Sequence, residues 1–104
     1  MTEKRIAQIS KRIEKVKAEL AKLGPMRPGS LTKQYKDPKS QSGPYYQLSY
    51  TRDMRSRTDY IHKDCVREVR RLVGNYKRFK SLTTEWVDLS IEQSRLKIQL
   101  AREP

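Results

Sequence analysis

Ile6, Ile9, Ile13, Val16, Leu20 and Leu23 recur at intervals of 3, 4, 3, 4 and 3, with charged and small residues between them. This is an apolar seam at 3.5 residues per turn, the period of a coiled-coil helix. It predicts a helix over residues 2–23. Thr2 is placed to cap its start, Glu3 suits the positive end of its dipole, and Gly24 followed by Pro25 ends it. A helix of ~22 residues with so narrow a stripe is marginal by itself and needs a partner. Leu82, Trp86, Leu89, Gln93, Leu96 and Leu100, at intervals of 4, 3, 4, 3 and 4, make a second seam of matching length. The two seams read as arms of an antiparallel helical hairpin with the middle of the chain at its closed end. They equally permit pairing between two copies, as a homodimer. Gln93 is the polar member, and it either sets the register or sits at a solvated edge of the seam.

Upstream of the second seam, Val66, Val69, Val73 and Tyr76 form an apolar stripe that slips in phase through Phe79 to Leu82. The second helix is therefore predicted over residues 63–102. A bend or break is allowed near Gly74, because glycine costs about 1 kcal/mol in a helix interior.

Residues 24–62 follow another pattern. Gly24, Pro25, Pro28, Gly29, Pro38, Gly43 and Pro44 break the chain, and the run at residues 39–42 reads as a flexible loop. Residues 45–51 and 55–61 are rich in strand formers. They flank a turn-like Arg52-Asp53-Met54, which predicts a β-hairpin of antiparallel strands. Residues 30–35 can add a third, edge strand. Alternation puts Tyr46, Leu48 and Tyr50 on the face that packs against the Val66-Val69-Val73 stripe, and Tyr45 on the other. The fold class expected is α+β, in one domain over residues 1–104: an N-terminal helix and a long C-terminal helix with a small antiparallel sheet between them. No internal repeat is visible.

Charge changes the functional picture. The 104 residues carry 24 Lys and Arg against 12 Asp and Glu, a net charge of +12. Such a balance selects polyanionic partners: nucleic acid, an anionic membrane surface or an acidic protein. Residues 64–82 hold six basic and two acidic side chains, whereas residues 83–104 hold three and four. Cys65 and His62 are each the single residue of their type. One cysteine forms no intrachain disulfide, and the pair supplies no four-ligand zinc site. No cofactor or metal is expected, and no catalytic constellation is visible. The N-terminus lacks a signal-peptide pattern and no run approaches the ~20 apolar residues of a membrane span, so a cytoplasmic protein without a membrane partner is the expectation.

Short motifs occur in a definite order: Gly24-Pro25-Met26-Arg27-Pro28-Gly29-Ser30-Leu31, Gly43-Pro44-Tyr45-Tyr46, Thr58-Asp59-Tyr60-Ile61-His62-Lys63-Asp64, then Glu68-Val69-Arg70-Arg71 and Asn75-Tyr76-Lys77-Arg78-Phe79. Over about residues 20–82 the chain resembles a family of small bacterial proteins of unknown function whose members occur around mobile elements. Many members of that family carry a cysteine cluster between the first two motifs, which implies a metal site in them. Here Lys36-Asp37-Pro38-Lys39-Ser40-Gln41-Ser42 stands in its place, so the metal site does not carry over.

Arg52, Arg55 and Arg57 fall on or beside the predicted hairpin turn. Lys63, Arg67, Arg70, Arg71, Lys77, Arg78 and Lys80 follow on the second helix, where Arg67, Arg70, Arg71 and Arg78 share one broad face away from the apolar stripe. A basic hairpin beside a basic helix face can contact phosphates, and Tyr45 is the tyrosine placed to stack on an unpaired base. The expectation is a non-enzymatic nucleic-acid-binding accessory protein of a mobile element or phage, for DNA or RNA. The alternative is an adaptor or inhibitor that docks its basic surface on an acidic or nucleic-acid-binding protein.

Overall fold

A computed structural model describes residues 1–103. In chain order it contains α1 (Thr2–Lys22), β1 (Ser30–Asp37), β2 (Ser42–Arg52), β3 (Arg55–Ile61), a 3-10 turn at Lys63–Cys65, and α2 (Val66–Ala101). The class is α+β, with an N-terminal helix, a three-stranded antiparallel sheet of order β1-β2-β3 and a long C-terminal helix. The chain divides into two compact units, Met1–Leu23 with Arg78–Pro104, and Gly24–Lys77. Helix α2 supplies residues to both. Among the described residues no helix is long and apolar enough to cross a membrane.

In the first unit, α1 lies antiparallel to the C-terminal part of α2. Ile9, Val16 and Leu82 are fully buried between them and Ile13 nearly so, as the two seams predict. Arg5 grips both carboxylate oxygens of Glu92 at 2.6 and 2.8 Å. Arg12 does the same to Glu85, and Arg78 donates to Glu19 at 2.8 Å. One heptad forward along α1, from residue 5 to 12 to 19, is matched by one heptad back along α2, from 92 to 85 to 78. Gln93 donates from its amide to Ser10 Oγ at 2.7 Å, so the polar seam residue has a partner across the helix pair. Trp86 is half-buried, with the Lys17 ammonium 5.5 Å from its ring.

The ends of α1 differ from the expectation. Thr2 lies inside the helix, and Met1 precedes it without a side-chain cap. The helix closes at Leu23 in an extended conformation (φ −66, ψ 137), its N–H bonded to Leu20 O. No left-handed glycine is used. Pro25 disfavours helical backbone at Gly24, the residue after this extended cap, so the helix does not resume.

In the second unit the sheet packs on the start of α2 through Leu48, Val69 and Val73, with Leu31 and Ile61 at the edge of that core. Gly29 makes the approach possible. Its backbone is left-handed (φ +139), and a Cβ there would meet Leu48 Cδ1 at 2.8 Å. The linker after α1 is tied to α2 by Arg27 N–H to Leu72 O at 3.0 Å and by the Asn75 amide to Pro25 O at 2.8 Å. Strand β2 is longer than predicted and includes Pro44. Its pairing with β3 begins only at Tyr46↔Ile61, so the missing N–H of Pro44 faces no strand on that side. Of the run at residues 39–42, predicted as a flexible loop, Ser42 opens β2 and the rest belongs to a hairpin connection over residues 38–41, held by Asp37, which accepts from Ser40 Oγ at 2.8 Å and Lys39 N at 3.2 Å. Helix α2 begins later than predicted, because residues 63–65 form a 3-10 turn capped by His62 Nδ1, which accepts from Asp64 N at 3.1 Å. From there it continues through Gly74 without a break.

Candidate functional site

The β2–β3 turn is tighter than the three residues predicted. Arg52 and Arg55 are the last register pair, leaving Asp53 and Met54 as a two-residue loop with φ of 53 and 64. Positive φ at both central positions is the geometry whose twist matches two antiparallel strands. It fixes where the arginines point. Tyr50 pairs with Arg57, and Arg52 with Arg55, so all four side chains emerge on one sheet face at the hairpin end, where with Asp53 they line a shallow cleft. Arg52, Arg55 and Arg57 are exposed, and none forms an ion pair among the described residues. Met54 projects from the apex, 99% exposed. The sequence places Met54 in the turn but gives it no role; the two-residue loop sets it at the apex beside Asp53.

Arg27 of the linker reaches Tyr50, one of the residues that line the cleft. Its guanidinium donates to Asp59 Oδ2 at 2.6 Å and lies 5.0 Å from the centre of the Tyr50 ring. Tyr50 is thereby held between the packed core and the arginine cluster. Sequence spacing gave no sign of this, as Arg27 is separated from Asp59 by the whole sheet.

Tyr45 lies on the opposite face. There its ring meets that of Tyr60, with centroids 5.5 Å apart and planes tilted by 37°. Tyr60 is exposed, and the register Gln47↔Tyr60 explains the meeting: both tyrosines belong to the same alternation. Lys63 and His62 border this aromatic pair. The face continues as Thr32, Gln47, Ser49, Thr51, Ser56 and Thr58, all uncharged.

The helix residues are dispersed among different tasks. Arg70 and Lys77 border a small groove with Ser30 and Gly74, and Arg67 is exposed nearby in sequence. Arg71 is bound to both oxygens of Glu68, which holds that carboxyl below the usual range. Arg78 is bound to Glu19, and Lys80 also belongs to the helical unit. The hairpin arginines are thus gathered, while two of the helix arginines already carry carboxylate partners. Among the described residues no three His, Cys, Asp or Glu side chains stand close enough to hold a metal, and Cys65 is a free, exposed thiol.

Residues 6–71 match a family model described as Domain of unknown function (DUF6788). The chain belongs to this family. The match takes in most of α1, the whole sheet and residues 66–71 of α2, so the arginine hairpin and the tyrosine pair both lie inside the DUF6788 region. No curated protein and no solved structure matches the chain.

Proposed function

We propose that the protein binds nucleic acid, without catalysis, through the tip of the β2–β3 hairpin. The observation that carries this reading is the gathering of Arg52, Arg55 and Arg57 on one face with no carboxylate partner among the described residues. Arginine forks in that setting are available to phosphate oxygens. Met54 at the apex is an apolar tip of the kind that can wedge against a base step. Tyr45, Tyr60 and Lys63 offer a second, stacking contact on the other face, suited to an unpaired base. Arg67, Arg70 and Lys77 add positive potential along α2, and the setting we favour is an accessory role for a mobile element or phage.

Titration against duplex DNA, single-stranded DNA and structured RNA at several salt concentrations tests the reading. On duplex DNA log K should fall with log salt by about 0.9 for each phosphate neutralised, so a site that neutralises about six weakens ~10³-fold between 50 and 200 mM. Changing Arg52, Arg55 and Arg57 together to Gln should flatten that slope by about 0.9 for each phosphate no longer neutralised. Changing Arg95, Lys97 and Arg102 should matter less. Absence of salt-dependent binding to any nucleic acid, together with capture of an acidic protein by the same arginines, would replace this reading with the adaptor or inhibitor.

A further inference from the structure

The C-terminal part of α2 has two apolar sides, and α1 covers one. Opposite the buried seam, Val87, Ile91 and Ile98 are 57, 46 and 57% exposed. With Thr84 and Ser94 they recur at intervals of 3, 4, 3 and 4, a second heptad seam. At 100° per residue this seam lies about half a turn from Leu82, Leu89 and Leu96. A pair of helices can bury only the faces between them, so the outer seam is left for another helix.

We infer that this outer seam is the interface of a homodimer, in which α2 packs antiparallel on α2 of a second copy. The argument for a second copy is the charge beside the seam. Asp88 and Arg95 flank it on the same side, one heptad apart, and neither has an ion-pair partner among the described residues. Antiparallel pairing about a two-fold axis brings Asp88 of each copy toward Arg95 of the other, twice per dimer. It also sets Val87 level with Ile98 and Ile91 level with Ser94, so larger side chains meet across the outer layers and a small one gives room at the centre. A parallel pair would forgo these bridges and place Lys97 toward Arg102. This seam lies in the helical unit, away from the hairpin arginines in sequence, and the inference does not depend on nucleic-acid binding.

Sedimentation equilibrium of the whole chain without nucleic acid, up to about 1 mM, high enough to reveal a weak association, is the measurement. The wild type should dimerise. Val87→Asp with Ile91→Asp should raise the dissociation constant at least ~100-fold, because carboxylates would be buried unpaired across the axis, while circular dichroism keeps the wild-type helicity. Asp88→Arg alone, or Arg95→Asp alone, should weaken the dimer by about 3–10-fold, since each makes two like-charged pairs. The double exchange Asp88→Arg/Arg95→Asp should restore it. A wild type that stays monomeric overturns the inference. So does a dimer indifferent to Val87 and Ile91, or a double exchange no tighter than the single ones.

Discussion

In the helical unit, three ion pairs one heptad apart flank a core whose buried members are Ile9, Ile13, Val16 and Leu82. In the sheet unit the buried members are Leu48, Val69 and Val73, and alignment comes from backbone ladders and a two-residue turn. The difference lies in what selects the register. Apolar contact between two heptad seams is nearly indifferent to a shift of one heptad. The charges are not: α1 carries Arg5, Arg12 and Glu19 where α2 carries Glu92, Glu85 and Arg78. A one-heptad slip that sets Arg5 against Glu85 also sets Arg12 against Arg78. Antiparallel self-pairing of α1 about its middle would keep two Arg5–Glu19 pairs but face Arg12 with Arg12, a poorer charge match than the three pairs with α2. The sheet needs no such device, because one residue of slip turns Leu48 from the core to solvent.

The comparison predicts that the sheet unit is sensitive to volume and the helical unit to charge order. The largest effect should come from Leu48→Ala. Leu48 is fully buried, and its loss should cost about 2–5 kcal/mol in a denaturant melt. Gly29→Ala should follow at roughly 1–3 kcal/mol, from left-handed strain at that position and overpacking against Leu48. If Gly29→Ala were neutral, the close approach of linker and sheet would not be what aligns them. Gly74→Ala should act the other way, raising stability by about 1 kcal/mol, because a Cβ there meets nothing within 4 Å and the position is helical.

Smaller effects are expected in the helical unit, where the paired groups are partly exposed and screened by water. Arg12→Glu should lower the melting temperature, and Glu85→Arg in the same chain should recover part of the loss, a coupling that a double-mutant cycle reads directly. Acid should act on the same contacts. The hydrogen bonds from Arg12 and Arg5 hold the carboxyls of Glu85 and Glu92 below their usual range. These pairs therefore stabilise the folded chain above the ordinary glutamate range, and the contribution disappears as pH falls through the lowered folded values. A helical signal that weakens with acid in the wild type but less in a chain lacking Glu85 and Glu92 would confirm the sign.

Periodicity by itself determined much of this protein. The 3-4 spacing of aliphatic residues specified two helical seams of matched length, alternation specified which face of β2 meets α2, and proline and glycine marked where helix gives way to sheet. These are local properties, carried by residues within a few turns or strands of one another. The ion-pair ladder was present in the sequence as well, as charges one heptad apart, but its meaning depends on a partner some 60 to 90 residues away, and only antiparallel pairing joins them. The site was less legible. That Arg52, Arg55 and Arg57 share a face follows from a turn of two residues instead of three, since one residue more would reverse the alternation of a strand. Arg27 over Tyr50, Tyr60 against Tyr45, and Arg78 bound to Glu19 are pairings across register or between helices. Backbone geometry brings those groups within a few ångströms, and side-chain contacts of that range are decided by the tertiary fold.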